Sequence, residues 1–160
     1  MIHERDCVRA LLVTGDSRIL LLHYSMPERG DDFEMWLTPG GGIRDGETRA
    51  DALRREVFEE TGLVEFEIGP HVWNREHAFE ERGRRVCQRE AYFLVPTERF
   101  EPFVFENPEA HERDATVGYR WWSIEEIRAC DDLFVPTRLG ELLADLLMNG
   151  PPGSPVATGV

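Results

Sequence analysis

Glu56, Glu59 and Glu60 place three carboxylates within five consecutive residues. On an α-helix, which advances about 100° per residue, Glu60 lies about 40° to one side of Glu56 and Glu59 about 60° to the other, so all three share one arc. Carboxylates this close repel one another, and like charges at these spacings cost a helix roughly a few tenths of a kcal/mol per pair. A cation would offset that repulsion, and magnesium, which takes hard oxygen ligands while keeping several waters, suits a carboxylate cluster combined with substrate phosphates. An acidic run alone, however, is more commonly a solvated helix face. The residues around the cluster must decide.

The elements that would position the cluster can be read from the same stretch. Thr48 is placed to cap a helix, with Asp51 at the capping-box position, and the helix should run to about Thr61 before Gly62 ends it. Ala50, Leu53 and Val57 gather on a different side of that helix, giving it an apolar face to set against a sheet. Before it comes Pro39-Gly40-Gly41-Gly42, where glycine permits close approaches. Residues 7–13 and 18–23 read as two strands around a turn at 14–17, and residues 25–35, containing Pro27 and Gly30, read as a loop. Residues 66–79 and 84–95 read as a long hairpin, followed by a polar loop with Pro102 and Pro108 and a last strand at 117–122. Ser123 with Glu126 should cap a short helix, and Thr137 should open a leucine-rich helix, with Leu139, Leu142, Leu143, Leu146 and Leu147 as a packing face, ending near Asn149. The pattern describes an α+β protein, with one domain over residues 1–149 and a disordered Pro- and Gly-rich tail at 150–160.

Composition narrows the partners. The formal charge is −13 and all 18 basic residues are arginine, so a broad nucleic-acid surface is disfavoured and no stable nucleic-acid complex is expected. No segment is long and apolar enough for a membrane helix, and the charged N-terminus lacks the apolar run of a secretory signal, which points to a cytoplasmic protein. Cys7, Cys87 and Cys130 lack metal-ligand spacing and are expected as reduced thiols. An acidic protein acting on a polyphosphate would need local cations, which divalent metals supply.

Gly41, Glu47, Arg55, Glu56, Val57, Glu59, Glu60, Gly62 and Leu63 match without a gap the pattern G-x5-E-x7-R-E-U-x-E-E-x-G-U, where U is a bulky aliphatic residue. This resembles the Nudix box. The resemblance extends to the paired strands before the box, Trp36 at its entrance, the hairpin after it, and Arg120-Trp121-Trp122-Ser123 leading into a helix. It implies the Nudix α/β/α sandwich, a mixed β-sheet flanked by helices. It also implies Glu56 and Glu60 as main metal ligands for Mg2+, with Mn2+ as a substitute, and the Gly41 carbonyl as a backbone ligand. Glu59 becomes a further ligand or the general base, with Glu112, then Glu106 and Glu109, as the alternative on a downstream loop. Arg55 would orient the acidic cluster, Glu47 would be its partner across the loop–helix junction, and Gly62 would close the helix. The implied reaction is hydrolysis of a phosphoanhydride, in which metal neutralises the phosphate charge and acidifies a water.

The substrate side is read from the strand after the box, where His71, Trp73, Arg75, His77 and Phe79 alternate onto one face. Trp73 and Phe79 offer rings for a base and Arg75 a guanidinium for phosphate, with Glu90 and Gln88 of the partner strand within reach; the same residues also suit a core with a surface charge. Trp121 and Trp122 point to opposite faces, so at most one can line a pocket. The expected partner is a small nucleotide-like molecule, either a nucleoside diphosphate linked to another group or a nucleoside triphosphate; a homodimer is left open. An ADP-ribose or dinucleoside-polyphosphate pyrophosphatase is the alternative, although Phe79 stands where many of the former carry proline and no tyrosine stands there for the latter. Pro39-Gly40-Gly41-Gly42 differs from the Pro-Gln-Gly-Gly of RNA 5′-pyrophosphohydrolases. A non-catalytic nucleotide-sensing module could lose box glutamates, and none is lost. An isomerase of the isopentenyl-diphosphate type would need a cysteine and histidine arrangement that Cys87 alone does not supply.

Overall fold

The computed structural model describes residues 1–25, 34–102 and 116–160. In chain order the elements are β1 (Ile2–Val13), β2 (Ile19–Ser25), β3 (Glu34–Leu37), β4 (Gly40–Gly42), α1 (Arg49–Thr61), β5 (His71–Glu81), β6 (Arg84–Pro96), β7 (Thr116–Trp122), α2 (Ile124–Ala129), β8 (Leu133–Val135), α3 (Leu139–Asn149) and β9 (Val156–Ala157). Side-chain alternation along β1 divides the interior into two cores. Val8, Ala10 and Leu12 face Ala52, Leu53 and Val57 of α1, together with Leu20, Val95 and Trp121. Leu11 and Val13 face the opposite way, toward Ile19, Leu21, Trp73, Tyr92 and Trp122 and the α3 leucines Leu139, Leu143 and Leu146. A mixed, curled sheet therefore lies between helices, the expected sandwich. Trp121 and Trp122 do take opposite faces, and each fills one of the two cores.

The sheet runs β8-β3-β2-β1-β6-β5-β9, with β4 added to β1 and β7 to β2. The β1–β6, β3–β8 and β5–β9 pairs are parallel, and the others are antiparallel. β1 pairs with two neighbours on the same side: Val13 meets Ile19 of β2, while Cys7, Val8 and Arg9 meet β4. The sheet splays between these two partners. That opening, next to the end of α1, is where the site forms.

Several elements differ from the sequence expectation. β1 begins at Ile2, because the charged segment 2–6 runs parallel to β6 and makes exposed ion pairs such as Arg5–Glu81 instead of burying apolar groups. β5 begins only at His71, leaving residues 66–70 outside the strand. The tail expected to be disordered forms β9, which pairs with β5 at Trp73 and Asn74. Thr158 is buried and donates its N–H to the Asn74 carbonyl, and Thr137 donates to the carbonyl of Val160. Composition favoured a disordered tail, but backbone donors and acceptors on the open β5 edge need partners whatever the tail's side chains are.

Candidate active site

Thr48 caps α1 by accepting the Asp51 N–H, and Gly62, in the left-handed region at φ 83°, stops the helix with its N–H on the Phe58 carbonyl. These two ends hold the acidic face in place while Ala52, Leu53 and Val57 anchor its other side in the core. Arg55 organises the junction. Its Nε and Nη2 fork onto Glu47 at 2.7 and 2.8 Å, its Nη1 donates to Glu56 at 2.8 Å, and Nη2 also reaches the Gly42 carbonyl at 2.9 Å. Hydrogen bonds from Arg55, and then from the Arg44 N–H, hold the Glu47 carboxyl down to about 2. Arg55 and Glu47 thus clamp the loop before α1 to the helix itself. Glu59 sits at the edge of this clamp, 3.5 Å from Arg55 Nη1.

The glycines explain how two carboxylates reach one spot. A Cβ on residue 41 would lie 2.5 Å from Glu56 Oε1, so only glycine leaves room for that carboxylate. Glu60 Oε2 accepts the Gly40 N–H at 3.1 Å. The expected Gly41 carbonyl ligand needs correcting. Val8 pairs with Gly41, and the bonds two residues to either side, Ala10 N–H to Pro39 and Ile43 N–H to Asp6, set the ladder phase. In that phase the Gly41 carbonyl turns into β1, whereas the polar groups of Gly40 turn outward. Gly40 is the backbone group that faces the carboxylates.

The hard oxygens that could hold a metal are those of Glu56 and Glu60, with the Gly40 carbonyl, which also accepts Arg9 Nη1 at 3.3 Å, beside them. Among the described residues, no three His, Cys, Asp or Glu side chains gather closely enough to hold a metal unaided. Two carboxylates and a carbonyl are donors of the kind that a hard divalent cation such as magnesium takes together with substrate phosphates and waters. Glu56, Glu60 and Arg55 line a cavity of about 1000 Å³ with Gly40, Gly41, Tyr24, Leu37, Arg9 and Gln88, whereas Glu59 does not line it.

The family model for the NUDIX domain matches residues 3–146. The chain belongs to the Nudix family. Among its relatives, an RNA pyrophosphohydrolase of Mesorhizobium japonicum is 26% identical over 148 residues, with 82% of each chain covered. A MutT Nudix hydrolase from Burkholderia pseudomallei superposes with a TM-score of 0.58 at 26% identity, covering 86% of this chain and 95% of that one. The E. coli ORF135 protein shares the fold, with a TM-score of 0.64 at 23% identity and 96% of each chain covered.

On the substrate side, this Nudix chain departs from its sequence reading. Trp73 is 2% exposed and packs against Tyr92, 5.6 Å between ring centroids, so it offers no face to a ligand. Trp73 joins Val72 in the core that contains the α3 leucines Leu139, Leu143 and Leu146, and the register of the strand shifts just before it, between His71 and Trp73. Phe79 lies far along the hairpin, stacked on His77, and lines no part of the cavity. Arg75 is buried and bonds Glu90 Oε1 at 2.5 Å instead of reaching out to phosphate. The other oxygen of Glu90 takes Arg9 Nε at 2.6 Å. Burial pushes the Glu90 carboxyl up, but the Arg9 and Arg75 guanidiniums more than reverse this and hold it below its ordinary value. Arg9 escaped the sequence reading, although its place within the apolar run Cys7-Val8-Arg9-Ala10-Leu11 was a usable signal. Tyr24 and Leu37, which also line the cavity, were not singled out either. Glu106, Glu109 and Glu112 lie outside the described residues.

Proposed function

We propose that this Nudix protein is a magnesium-dependent pyrophosphohydrolase acting on a nucleoside triphosphate or a nucleoside diphosphate linked to another group. The observation that carries the reading is the convergence of Glu56 and Glu60 on the Gly40–Gly41 backbone at the mouth of the cavity. When bound there, magnesium would supply charge neutralisation for the phosphates and a more acidic water. The chain's own residues would do the rest. Glu56 and Glu60 hold the metal, Arg55 fixes Glu56, and Tyr24 and Leu37 offer an apolar wall to the nucleoside. The cavity is at the upper end of the range for small-molecule sites, about 300–1,000 Å³, which accommodates a nucleotide.

The name of the Mesorhizobium relative supports a second reading, an RNA 5′-pyrophosphohydrolase. The charge of −13 favours the small substrate, because an extended RNA would meet an acidic surface beyond its first nucleotide. A cytoplasmic location is part of the same proposal, since both nucleotides and magnesium are abundant there.

The test is a screen of the purified protein against nucleoside triphosphates, nucleotide-diphosphate conjugates and a 5′-triphosphorylated RNA, with phosphate and pyrophosphate release as readout. Activity on the best substrate should vanish with excess chelator and return with magnesium or manganese. Full turnover in chelator would remove the metal from the mechanism, and turnover of the RNA alone would move the substrate assignment.

Glu59 is proposed as the general base because it adjoins the ligand Glu60 and is held near the cavity by Arg55. Glu59→Gln should lower kcat by about 10²-fold, the lower end of a positioned base's contribution, and by more than Glu112→Gln does. The reverse order in steady-state kinetics would assign the proton to the downstream loop.

A further inference from the structure

Arg9 is a charged residue that an apolar strand has no packing reason to hold. It sits on β1 between Val8 and Ala10, both fully buried, at the splay where β4 replaces β2 as the neighbour of β1. Three bonds fix its guanidinium: Nε to Glu90 at 2.6 Å, and Nη1 to the carbonyls of Thr38 at 3.2 Å and Gly40 at 3.3 Å. Among the described residues Nη2 takes no hydrogen bond, and Arg9 lines the cavity shared with Glu56 and Glu60. The Glu60 carboxylate is close enough to act electrostatically on Arg9. The group is thus a cation held on two sides with one nitrogen left over, in the lining of the cavity that Glu56 and Glu60 also line.

Arg75 explains why this charge is not cancelled. A lone Arg9–Glu90 pair would be neutral and would attract no anion. Arg75, on the second oxygen of Glu90, restores a net charge of plus one to the group. Its Nε is buried without a partner among the described residues, so this position supplies charge more than matched hydrogen bonds. Other arginines around the cavity are already engaged, Arg5 with Glu81 and Arg55 with Glu47 and Glu56.

We infer that Arg9 is a substrate-binding residue that donates through Nη2 to a phosphate oxygen of the diphosphate group, with Glu90 setting its position and Arg75 preserving its charge. The inference rests on the phosphoanhydride reading of the site and names a group that reading lacked, a protein cation opposite the metal. It also moves the phosphate contact from Arg75 to Arg9.

The probe is methylenediphosphonate, whose P–C–P bridge resists hydrolysis, titrated calorimetrically into the protein at saturating magnesium. Arg9→Met leaves Glu90 paired with Arg75, a neutral buried pair, so the fold should survive, and a melt verifies this. Affinity for the probe should fall about 10- to 100-fold, the worth of one charge-assisted hydrogen bond. Arg9→Lys, which keeps the charge but loses the fork, should fall between the two. Arg138→Met, on an exposed pair with Glu141, should bind like the parent.

A second measurement separates binding from bracing. Manganese binding without probe, followed by electron paramagnetic resonance, should be unchanged or tighter in Arg9→Met, because a cation has been removed from beside the carboxylates. If Arg9 only braces the Gly40 backbone, both affinities should weaken together, and the inference is overturned. It is equally overturned if Arg9→Met binds the probe as the parent does. If the parent itself does not bind the diphosphonate, the phosphoanhydride reading falls first and the Arg9 assignment falls with it.

Discussion

Glu60→Gln should lower kcat at least about 10³-fold while leaving the melting temperature in chelator within about 2 °C of the parent. The two halves of that expectation come from different contacts. Glu60 Oε2 accepts the Gly40 N–H at 3.1 Å, and a glutamine carbonyl can accept the same bond, so β4 stays attached to the end of α1. What is lost is a negative charge where a metal must bind. Removing even an outer-shell partner of a metal ligand typically costs about 10–100-fold, and a ligand itself should cost more. A substitution that preserves packing and hydrogen bonding changes stability by about 0.5 kcal/mol or less, which in a domain of this size is about 2 °C. Magnesium half-saturation should rise in parallel with the loss of turnover. If kcat falls less than tenfold, or if the melt drops well below the parent, Glu60 is part of the architecture and the metal site lies elsewhere.

Glu56→Gln does not make so clean a test. From the helical wheel alone, neutralising Glu56 or Glu60 should relieve repulsion and leave the metal-free protein at least as stable. The structure removes that symmetry for Glu56, which is 7% exposed and accepts Arg55 Nη1 at 2.8 Å. Replacing it breaks a charged bond at a buried position, so lost stability would be mixed with lost chemistry.

How much the sequence revealed depended on whether the determining contacts were local. Thr48, Asp51 and Gly62 set the limits of α1 within one helical turn of each end, and both ends fall where the sequence placed them. The capping box of Ser123 and Glu126 was legible for the same reason. β4 and β9 were not legible, because three glycines and a Pro- and Gly-rich tail become strands only through pairing with β1 and β5, far away in the chain. The substrate side failed on what covers the strand face. Strict alternation does put Trp73 and Arg75 on one face, but Trp73 there packs in the core with the α3 leucines and Arg75 is buried against Glu90. Arg9 stood in plain view, but its meaning depends on Glu90 across a parallel pair of strands, which spacing along the chain does not reveal.

Arg55→Ala should do the opposite of Glu60→Gln, unfolding the site instead of silencing it. Arg55 bonds Glu47 through two nitrogens, Glu56 through a third contact and the Gly42 carbonyl through a fourth, so one side chain ties the loop entering α1 to the helix. Alanine would leave Glu56 as a buried charge without its cation, a change that costs about 3–5 kcal/mol where burial is complete; Arg55 is 17% exposed, which argues for about 3 kcal/mol. At about 2–4 °C per kcal/mol, the melting temperature in chelator should fall by about 6–12 °C. Arg55→Lys should recover only part of this, since an ammonium cannot reproduce the fork on Glu47. Acidity supplies an independent check. Glu47 is held down to about 2 in the folded protein, chiefly by its hydrogen bonds from Arg55, against an ordinary value of 4.5. A depressed carboxyl stabilises the fold fully above its ordinary value and loses that contribution as pH falls toward the folded one. The gap in melting temperature between parent and Arg55→Ala should therefore be constant above about pH 5 and narrow between about pH 4.5 and 2. Melts across that range decide the matter: if Arg55→Ala melts with the parent at pH 7, or if the gap widens on acidification, Arg55 does not clamp the loop to α1, and the division between architecture and chemistry within the box fails.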